Sequence, residues 1–323
     1  MIDLTPLFLA VRQAATLCHE VQQRQIVRNE KAGYEPVTIA DYGSQAIICR
    51  ALQTYFPDDA VLSEESGAQF MTLVSPDQRA WIAQLTGTIL GMPVQEDDIA
   101  AWLDHGKDRE TAQLWVIDPI DGTKGFMAQR HYVVALGLMH NRYPVGGIIA
   151  APEYPGRFPG GALLHAIEGA TFIEPLHEGG QAQREQVRVS TNASLESWRA
   201  LESVDKSHGA LEEMARVRMA AGMNPDLVEK ADSMEKYARI AAGDAELYMR
   251  LPRRNSTRPH AIWDHAPGAA LVEAAGGKVT DVDGSPLDYS EGSALKNHGI
   301  IVSNGLMHDH IIEAVQKILN EDA

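Results

Sequence analysis

One short stretch of the chain, Asp118-Pro119-Ile120-Asp121-Gly122-Thr123-Lys124-Gly125-Phe126, carries two acids, a proline and two glycines directly after an apolar run. That run, residues 114–117, has the composition of a buried strand, and a proline cannot continue a central ladder. The pattern therefore predicts a strand that ends at Asp118 and passes into a turn. Asp118 and Asp121 would then point into one small space.

Two crowded carboxylates repel each other, so their proximity is best explained by a divalent cation. A ligand set made of oxygen favours Mg2+, with Ca2+ or Mn2+ as alternatives, over zinc. Gly122 lets the backbone approach a ligand, and the amides of Gly122 and Thr123 would suit a phosphate if they open a helical turn. The alternative is an ordinary acidic turn, because Asp, Pro and Gly are common turn formers.

Two further acidic motifs lie far from this stretch, Leu62-Ser63-Glu64-Glu65-Ser66 and Trp263-Asp264-His265-Ala266. With residues 118–126 they resemble, in order and in wide spacing, the three metal-binding motifs of the inositol monophosphatase superfamily of Mg2+-dependent, lithium-sensitive phosphatases. Lys124-Gly125-Phe126 and Asp232-Ser233-Met234-Glu235-Lys236-Tyr237 resemble the 3'(2'),5'-bisphosphate nucleotidase branch of that superfamily. The resemblance covers nearly the whole chain.

The resemblance implies a site for two Mg2+ ions. One ion would be held by Glu64, Asp118 and the carbonyl of Ile120. The other would be held by Asp118, Asp121 and Asp264. Paired cations lower the pKa of an attacking water and neutralise charge on the leaving oxygen, which a single ion does only in part.

Asp41 lies at the start of the second predicted helix. The pattern Thr38-x-x-Asp41 resembles a capping box, which would stabilise the helix without any chemistry. The resemblance implies instead that Asp41 and Thr123 orient the attacking water, and that Asp41, through water, shares a third, weaker ion with Glu64. Because neighbouring strand residues face opposite sides, only one of Glu64 and Glu65 can readily enter the site. The resemblance implies that Glu64 does so and that Glu65 lies beside the ligands or helps the water.

Several polar residues in the second half match nucleotide contacts of the family. A Ser and a Lys three residues apart at a helix start suit a phosphate, and the guanidinium fork of Arg binds two oxygens at once. Spacing alone would favour ordinary surface or capping roles for the His, Ser and Lys. The substrate-binding set implied by the resemblance is Gly122, Thr123, His208, Ser233, Lys236, Arg250 and Asp264.

The predicted fold class is α/β, in the form of an inositol-monophosphatase-like α/β/α/β/α sandwich of two subdomains with the site in the cleft between them. The polar run at 178–186 is the best boundary, so residues 1–183 would carry most metal ligands. Residues 184–323, opening with a strand at 186–190, would carry the nucleotide contacts and the last metal ligand. Residues 66–113 are expected to form a helical insertion of unassigned role.

The last metal motif precedes a predicted helix at 266–275. Asp264 would be a good N-cap for this helix, and that role is compatible with metal binding because a carboxylate has two oxygens. Pro267 departs from the alanine usual nearby in the family. It falls in the first helical turn, where a missing amide costs little, so the site is expected to survive.

Composition excludes several classes of protein. A formal net charge of −16 argues against a nucleic-acid polymer as partner, since such binding depends on Lys and Arg neutralising phosphates. The two cysteines, Cys18 and Cys49, fall in apolar helical patterns and are expected to be buried free thiols. No apolar stretch is long enough to span a membrane and no signal peptide is evident, so a cytoplasmic protein is expected.

The predicted activity is hydrolysis of the 3'-phosphate of adenosine 3',5'-bisphosphate, a small phosphorylated nucleotide, to AMP and phosphate. The sulfated analogue 3'-phosphoadenosine 5'-phosphosulfate fits the same pocket. The alternative within the superfamily is an inositol monophosphatase or inositol polyphosphate 1-phosphatase. From another class, a non-hydrolysing nucleotide sensor is opposed by the Asp41 and Thr123 pair, which a pure binding protein does not need.

Overall fold

The computed structural model describes residues 4–27, 36–177, 183–204, 210–252, 260–290 and 292–321. In these ranges the helices are α1 (Thr5–Val27), α2 (Pro36–Tyr55), α3 (Gly67–Leu73), α4 (Pro76–Leu90), α5 (Glu96–Leu103), α6 (Thr123–Met127), α7 (Leu211–Ala220), α8 (Glu235–Ala241), α9 (Ala266–Ala274) and α10 (His308–Glu321). The strands are β1 (Ala60–Ser63), β2 (Gln113–Asp121), β3 (Val133–His140), β4 (Tyr143–Ala151), β5 (Ala162–Ile167), β6 (Ala170–Pro175), β7 (Glu185–Val187), β8 (Ala200–Glu202), β9 (Val228–Lys230), β10 (Leu247–Arg250), β11 (His260–Ala261), β12 (Lys278–Thr280), β13 (Ala294–Leu295) and β14 (Ile300–Ser303).

The strands form two main sheets and one short pair. The first sheet has seven strands in sequential order from β1 to β7; β1 and β2 are parallel, and each later pair is antiparallel. The second sheet has the order β12-β14-β10-β8-β9. The short pair joins β11 to β13.

Three apolar cores separate the layers. Alternate residues of the first sheet face opposite ways, so Ile117 and Leu136 pack under α1, α2, α4 and α5, while Val116 and Ala135 pack toward α8 and α9. Helices α8 and α9 lie between the two sheets, and α7 and α10 cover the outer face of the second sheet. The layers therefore follow the order α/β/α/β/α, which confirms the predicted sandwich.

Strand β2 positions the central acidic motif. The prediction that this strand ends at Asp118 is wrong, because it runs through Pro119 to Asp121. Its pairing with β3 shifts register between Asp118 and Asp121, and β1 pairs only with residues 114–117. Pro119 thus lies in an irregular segment beyond the end of the neighbouring strand, where no ladder amide is needed from it.

Helix α9 lies directly on the first sheet. A Cβ at Gly147 would strike the Pro267 carbonyl oxygen, and a Cβ at Gly137 would lie 3.2 Å from Pro267 Cγ. Glycine is needed at both positions for this close approach. As expected, Pro267 falls in the first turn of the helix. The contact fixes the start of α9, and with it Asp264, against β3 and β4.

The two helix starts differ from those on which the capping alternatives for Asp41 and Asp264 depended. Helix α2 begins at Pro36, so Asp41 lies inside the helix and the capping-box interpretation fails. Helix α9 begins at Ala266 with His265 at the N-cap position, so Asp264 precedes the cap.

The predicted strand at 186–190 belongs to the other sheet. The observed strand, β7, pairs with β6 and so completes the first sheet instead of opening the second. The division at residues 183 and 184 remains a prediction.

The expected helices within residues 66–113 are α3, α4 and α5. Cys18 and Cys49 are buried free thiols, as predicted. None of the described helices combines the length and apolar character that a bilayer crossing requires.

Candidate active site

The Gly122–Thr123 turn joins β2 to α6. Gly122 has φ of 94° and caps α6, and the Phe126 N–H donates to its carbonyl oxygen at 2.9 Å, so the expected helical turn is present. A Cβ at Gly122 would lie 3.1 Å from Ser233 Cβ and 3.3 Å from the His131 carbonyl oxygen. Only glycine therefore suits both the backbone conformation and the space at this position.

Predicted acids from four segments of the chain share one region. Asp118 is 3% exposed and interacts electrostatically with Asp121, Asp264, Glu64 and Asp41. Burial, followed by these four charges, raises the pKa of Asp118 well above its ordinary value. Loss of hydration, followed by the charge of Asp264, raises the pKa of Asp121 to about 7. The fold thus gathers negative charge that these residues do not neutralise among themselves.

The donors of this region fit a hard divalent cation. Asp118 Oδ1 is buried and accepts no hydrogen bond from any described residue, and carboxylate oxygens are the ligands that Mg2+ and Ca2+ prefer. In the described part of the chain, no three Asp, Glu, His or Cys side chains are closed around a single metal position. The structure therefore provides the donors in one region, with their side chains within electrostatic range of one another.

Asp41 and Glu65 lie on the α2 side of the acids. Asp41 is 8% exposed, and burial, followed by the charges of Glu64 and Glu65, raises its pKa well above the ordinary value. Burial also raises the pKa of Glu65, while a hydrogen bond with Tyr42 opposes that shift. Both Glu64 and Glu65 follow the end of β1, so the rule of alternating strand faces does not apply to them.

Gln45 fixes this segment to α2. Its Nε2 donates to the Glu65 carbonyl oxygen at 2.8 Å and to Ser63 Oγ at 3.0 Å, and its Oε1 accepts from the Glu65 N–H at 2.9 Å. Gln45 is fully buried and lies one helical turn after Asp41. A single amide therefore sets the position of Glu65 relative to the helix that carries Asp41.

Thr123 and Ile120 contact each other within the turn. Thr123 Oγ1 donates to the Ile120 carbonyl oxygen at 3.3 Å. That carbonyl was predicted to ligate metal, and the hydroxyl was predicted to orient water with Asp41. The observed hydrogen bond places both groups on the same turn.

The segment before α8 lies against the acids. Ser233 has φ of 60°, a left-handed conformation that is uncommon for serine. The Met234 N–H donates to an Asp121 carboxylate oxygen. Lys236 is buried, its Nζ donates to the Ala231 carbonyl oxygen at 3.3 Å, and burial lowers its pKa to about 8 against the opposing charge of Asp121. This segment is therefore joined to the acidic group by hydrogen bonding and by charge.

Arg250 is the last residue of β10 and lies within electrostatic range of Asp121. Its charge acts on Asp121 and on the buried His265. The remaining predicted nucleotide contact, His208, lies outside the described residues.

A family model described as "Inositol monophosphatase family" matches residues 4–320. The chain belongs to the inositol monophosphatase family.

Curated relatives of this family member match over nearly full length. A Schizosaccharomyces pombe protein named 3'(2'),5'-bisphosphate nucleotidase is 32% identical, with 97% of this chain and 94% of the relative covered. An Arabidopsis thaliana protein named 3',5'-bisphosphate nucleotidase 2 is also 32% identical, with 97% and 95% covered.

Solved structures share the fold. Inositol monophosphatase II from Staphylococcus aureus superposes with a TM-score of 0.64 at 17% identity, covering 97% of this chain and 92% of that one. CysQ from Bacteroides thetaiotaomicron, described as a bacterial member of the inositol monophosphatase family, gives 0.60 at 21% identity, covering 92% and 95%.

The sequence analysis assigned no role to three polar residues of this family member, Gln45, His131 and Glu235. Gln45 follows Asp41 by four residues, which places both on one helix face and could have identified it. His131 Nδ1 lies 2.6 Å from Glu235 Oε2, beside the Gly122–Thr123 turn. His131 and Glu235 are 104 positions apart in the sequence, so no local pattern could reveal the pair.

Proposed function

We propose that the protein is a phosphatase that hydrolyses the 3'-phosphate of adenosine 3',5'-bisphosphate to AMP and inorganic phosphate. The observation that carries this proposal is the buried Asp118 carboxylate, which lies among four other acids and has an oxygen without a hydrogen-bond partner in the described residues. Full-length similarity to proteins named 3'(2'),5'-bisphosphate nucleotidase supports the choice of substrate.

The proposed cofactor is Mg2+, with two ions and a third, weaker one. Family membership supports a divalent cation, and the all-oxygen donor set supports Mg2+ over zinc, with Ca2+ or Mn2+ as alternatives. The ligands would be Glu64, Asp118, the Ile120 carbonyl, Asp121 and Asp264. When bound, such cations acidify water and neutralise charge on the phosphoryl oxygens.

The chain's own groups would position and deprotonate the attacking water. Asp41 and Glu65 both have raised pKa values, chiefly through burial, and a carboxylate with a raised pKa is a better proton acceptor near neutral pH. Thr123 Oγ1 would orient the water with Asp41. Gln45 would keep Glu65 in place through its hydrogen bonds with the Glu65 backbone.

The segment from Ser233 to Lys236 would hold the nucleotide. Lys236 and Arg250 supply positive charge next to Asp121, and Arg250 would bind phosphate oxygens in pairs. Gly122, Thr123 and Asp264 complete the substrate contacts predicted on the described residues. His208 is proposed as a further contact. The site would lie between a unit of residues 1–183 and a unit of residues 184–323.

Two other substrate classes and one non-enzymatic function are alternatives to hydrolysis of adenosine 3',5'-bisphosphate. The sulfated analogue 3'-phosphoadenosine 5'-phosphosulfate carries the same 3'-phosphate. An inositol monophosphate would need the acids and the Gly122–Thr123 turn but not the segment from Ser233 to Lys236. A nucleotide sensor would bind the bisphosphate with metal and release no phosphate.

We further propose that the protein acts in the cytoplasm on a small phosphorylated nucleotide and not on a nucleic-acid polymer. The net charge of −16 supports the second point, because it opposes binding to a polyanion. Cell fractionation and a filter-binding assay with single-stranded DNA would test the two statements.

The first experiment is phosphate release from adenosine 3',5'-bisphosphate and from inositol 1-phosphate, side by side, with Mg2+ and then with chelator. The proposal expects metal-dependent release with strong preference for the nucleotide. Preference for the inositol ester would overturn the nucleotide assignment and keep the metal site. Calorimetric binding of the bisphosphate without phosphate release would favour the sensor.

A further inference from the structure

His131 and Glu235 form a close pair at the edge of the candidate active site. His131 Nδ1 lies 2.6 Å from Glu235 Oε2. The Glu235 side chain is fully buried, whereas 32% of the His131 side chain is exposed. The other oxygen of Glu235, Oε1, accepts no hydrogen bond from the described residues. A buried carboxylate is costly without a partner, so Glu235 depends on His131.

The backbone of His131 is fixed to the Gly122–Thr123 turn. The His131 carbonyl oxygen lies 3.3 Å from the position that a Cβ on Gly122 would occupy, and it would clash with a Cβ on Gly125. The Arg130 N–H donates to the Gly125 carbonyl oxygen at 2.8 Å. His131 therefore keeps a constant position relative to the turn proposed to hold the phosphate.

Glu235 is fixed to the other side of the site. It is the first residue of α8, and its N–H donates to Ser233 Oγ at 3.3 Å. The next residue, Lys236, belongs to the same helical turn. The pair therefore connects the Gly122–Thr123 turn to the segment proposed to hold the nucleotide.

Ser233 needs such support because of its backbone. A φ of 60° is a left-handed conformation that serine rarely adopts, and it costs more than the ordinary backbone regions. Ser233 Oγ donates to the Asp232 carbonyl oxygen at 2.6 Å, and the following residue, Met234, donates its N–H to Asp121. Glu235, one residue further, is held by His131. The residues that follow this strained position are thus fixed by two side chains from the first sheet region.

We propose that His131 is a positioning residue for nucleotide binding, which acts through Glu235 to hold Ser233 in its left-handed conformation and to set its distance from the Gly122–Thr123 turn. This inference rests on the proposed function, because it takes Ser233 as a nucleotide contact. A substrate that spans both elements depends on that distance. A small phosphate ester that needs only the turn and the acids does not.

The contact between His131 and Glu235 also depends on the charge of the His131 ring. The charged groups that act on its ring are Glu235 at the start of α8, Asp232 just before it, and Glu153 after β4. The hydrogen bond with Glu235 raises the pKa of His131 above its ordinary value, against the effect of burial. The ring is charged below that raised pKa, and the ion pair is lost as the pH rises through it.

The test compares His131→Phe, His131→Gln and Glu235→Gln with His140→Gln as the control, since His140 is an exposed histidine of β3. Steady-state kinetics are measured on adenosine 3',5'-bisphosphate and on p-nitrophenyl phosphate at saturating Mg2+. His131→Phe is expected to raise KM for the nucleotide about tenfold, which is the usual effect of losing one hydrogen bond to a charged group. It should leave kcat and the p-nitrophenyl phosphate kinetics within about threefold of wild type, while His131→Gln, which keeps an N–H donor, loses less.

Two further readouts separate positioning from general support of the fold. In wild type, KM for the nucleotide should rise with pH above the His131 pKa, and His131→Gln should reduce this rise to the part that Lys236, with its pKa of about 8, contributes. Because His131→Phe leaves a buried carboxylate without its partner, the double variant His131→Gln/Glu235→Gln, which carries no buried charge, is the second test. Its KM should be no worse than that of the poorer single variant, since residues of one pair are not additive.

The outcomes are distinct. Wild-type activity on the bisphosphate with unchanged nucleotide KM in folded variants would overturn the role of His131 alone. Equal losses on both substrates, or an unchanged pH profile, would reduce the pair to a structural contact and overturn it as well. No phosphate release by wild type from the bisphosphate would reject the proposed function, and the inference would fall with it.

Discussion

Two buried aspartates of this chain have opposite surroundings. Asp281 is 4% exposed and accepts four hydrogen bonds, from the backbone N–H groups of Val282, His298 and Gly299 and from Asn297 Nδ2, at 2.6 to 3.0 Å. Asp118 is 3% exposed, lies among other acids, and has an oxygen without a partner in the described residues.

The difference separates a carboxylate that stabilises the fold from one that the fold must tolerate. Backbone donors around Asp281 replace the water that burial removed, so its charge holds the segment before β14 in place. Around Asp118 the protein supplies further negative charge instead. That arrangement is unfavourable until a cation binds, and so it is expected where function, not stability, is served.

The largest expected effect is on catalysis. Asp118→Ala should lower kcat/KM by about a thousandfold or more, because cation chemistry contributes several kcal/mol to such transition states. The free energy of unfolding in chelator should stay within about 1 kcal/mol of wild type or increase, since an uncompensated buried charge is removed. Kinetics and urea unfolding on the same preparation would check both values. A folded variant with near-normal turnover would contradict the role of Asp118.

The matched variant, Asp281→Ala, should show the reverse. It leaves four donors without their partner, of which the Val282 and Gly299 N–H groups are buried, so the free energy of unfolding should fall by about 3 kcal/mol or more. The folded fraction should retain most of its activity, because none of the proposed ligands is lost. Urea unfolding in chelator measures the first quantity. A loss below about 1 kcal/mol would remove the contrast between the two aspartates.

Divalent cations should stabilise the protein only by binding to Asp118 and the acids around it. At Mg2+ concentrations near a hundred times Kd, the native state should gain about 2.7 kcal/mol, or a Tm increase of about 5 °C or more. Asp281→Ala should show the same increase from its lower starting point, and Asp118→Ala should show little or none. Thermal unfolding with Mg2+ and with chelator would measure this. An equal increase in Asp118→Ala would place the cation elsewhere.

The smallest expected effect is the contribution of one buried histidine, His308, to the pH dependence of stability. It is 2% exposed, its two ring nitrogens contact Thr280 Oγ1 and Ser303 Oγ at 2.8 Å each, and burial lowers its pKa to about 4. Above pH 6.5 the ring is neutral in both folded and unfolded chains, so its contribution to stability is complete. As the pH falls from 6.5 towards 4, the unfolded chain binds a proton first, and about 2 kcal/mol should be lost.

The corresponding variant isolates that residue from the other histidines. His308→Gln should give a shallower decline in the free energy of unfolding between pH 6.5 and pH 4 than wild type. Urea unfolding at a series of pH values measures the slope. Equal slopes would show that the His308 contacts tolerate the charged ring.

Local patterns in the sequence predicted much of the fold. The apolar strand run at 114–117 and the helix at 266–275 depend on neighbouring residues, and such patterns can be interpreted without a partner. The metal motifs were found for the same reason, since each is a short run of residues. The layer order followed from the family resemblance and not from these patterns.

The errors share another physical origin. Strand β7 has the same alternation whichever sheet it joins, so its pairing with β6 depends on tertiary contacts that the pattern does not contain. The helix start at Pro36 moved Asp41 away from the cap position. The continuation of β2 through Pro119 depends on β1 having ended, which is a property of two segments and not of one. The His131 and Glu235 pair likewise exists only after folding.

The close contact of α9 with the first sheet has a consequence for protein engineering. Because Gly147 leaves no space beside Pro267, one added methyl group there would push the first turn of α9 away from β4. Asp264, three residues before Pro267 in the chain, would move with that turn. If Asp264 is a ligand as proposed, the choice between a small cation such as Mg2+ and a larger one such as Ca2+ would thus be altered from β4, without changing any proposed ligand.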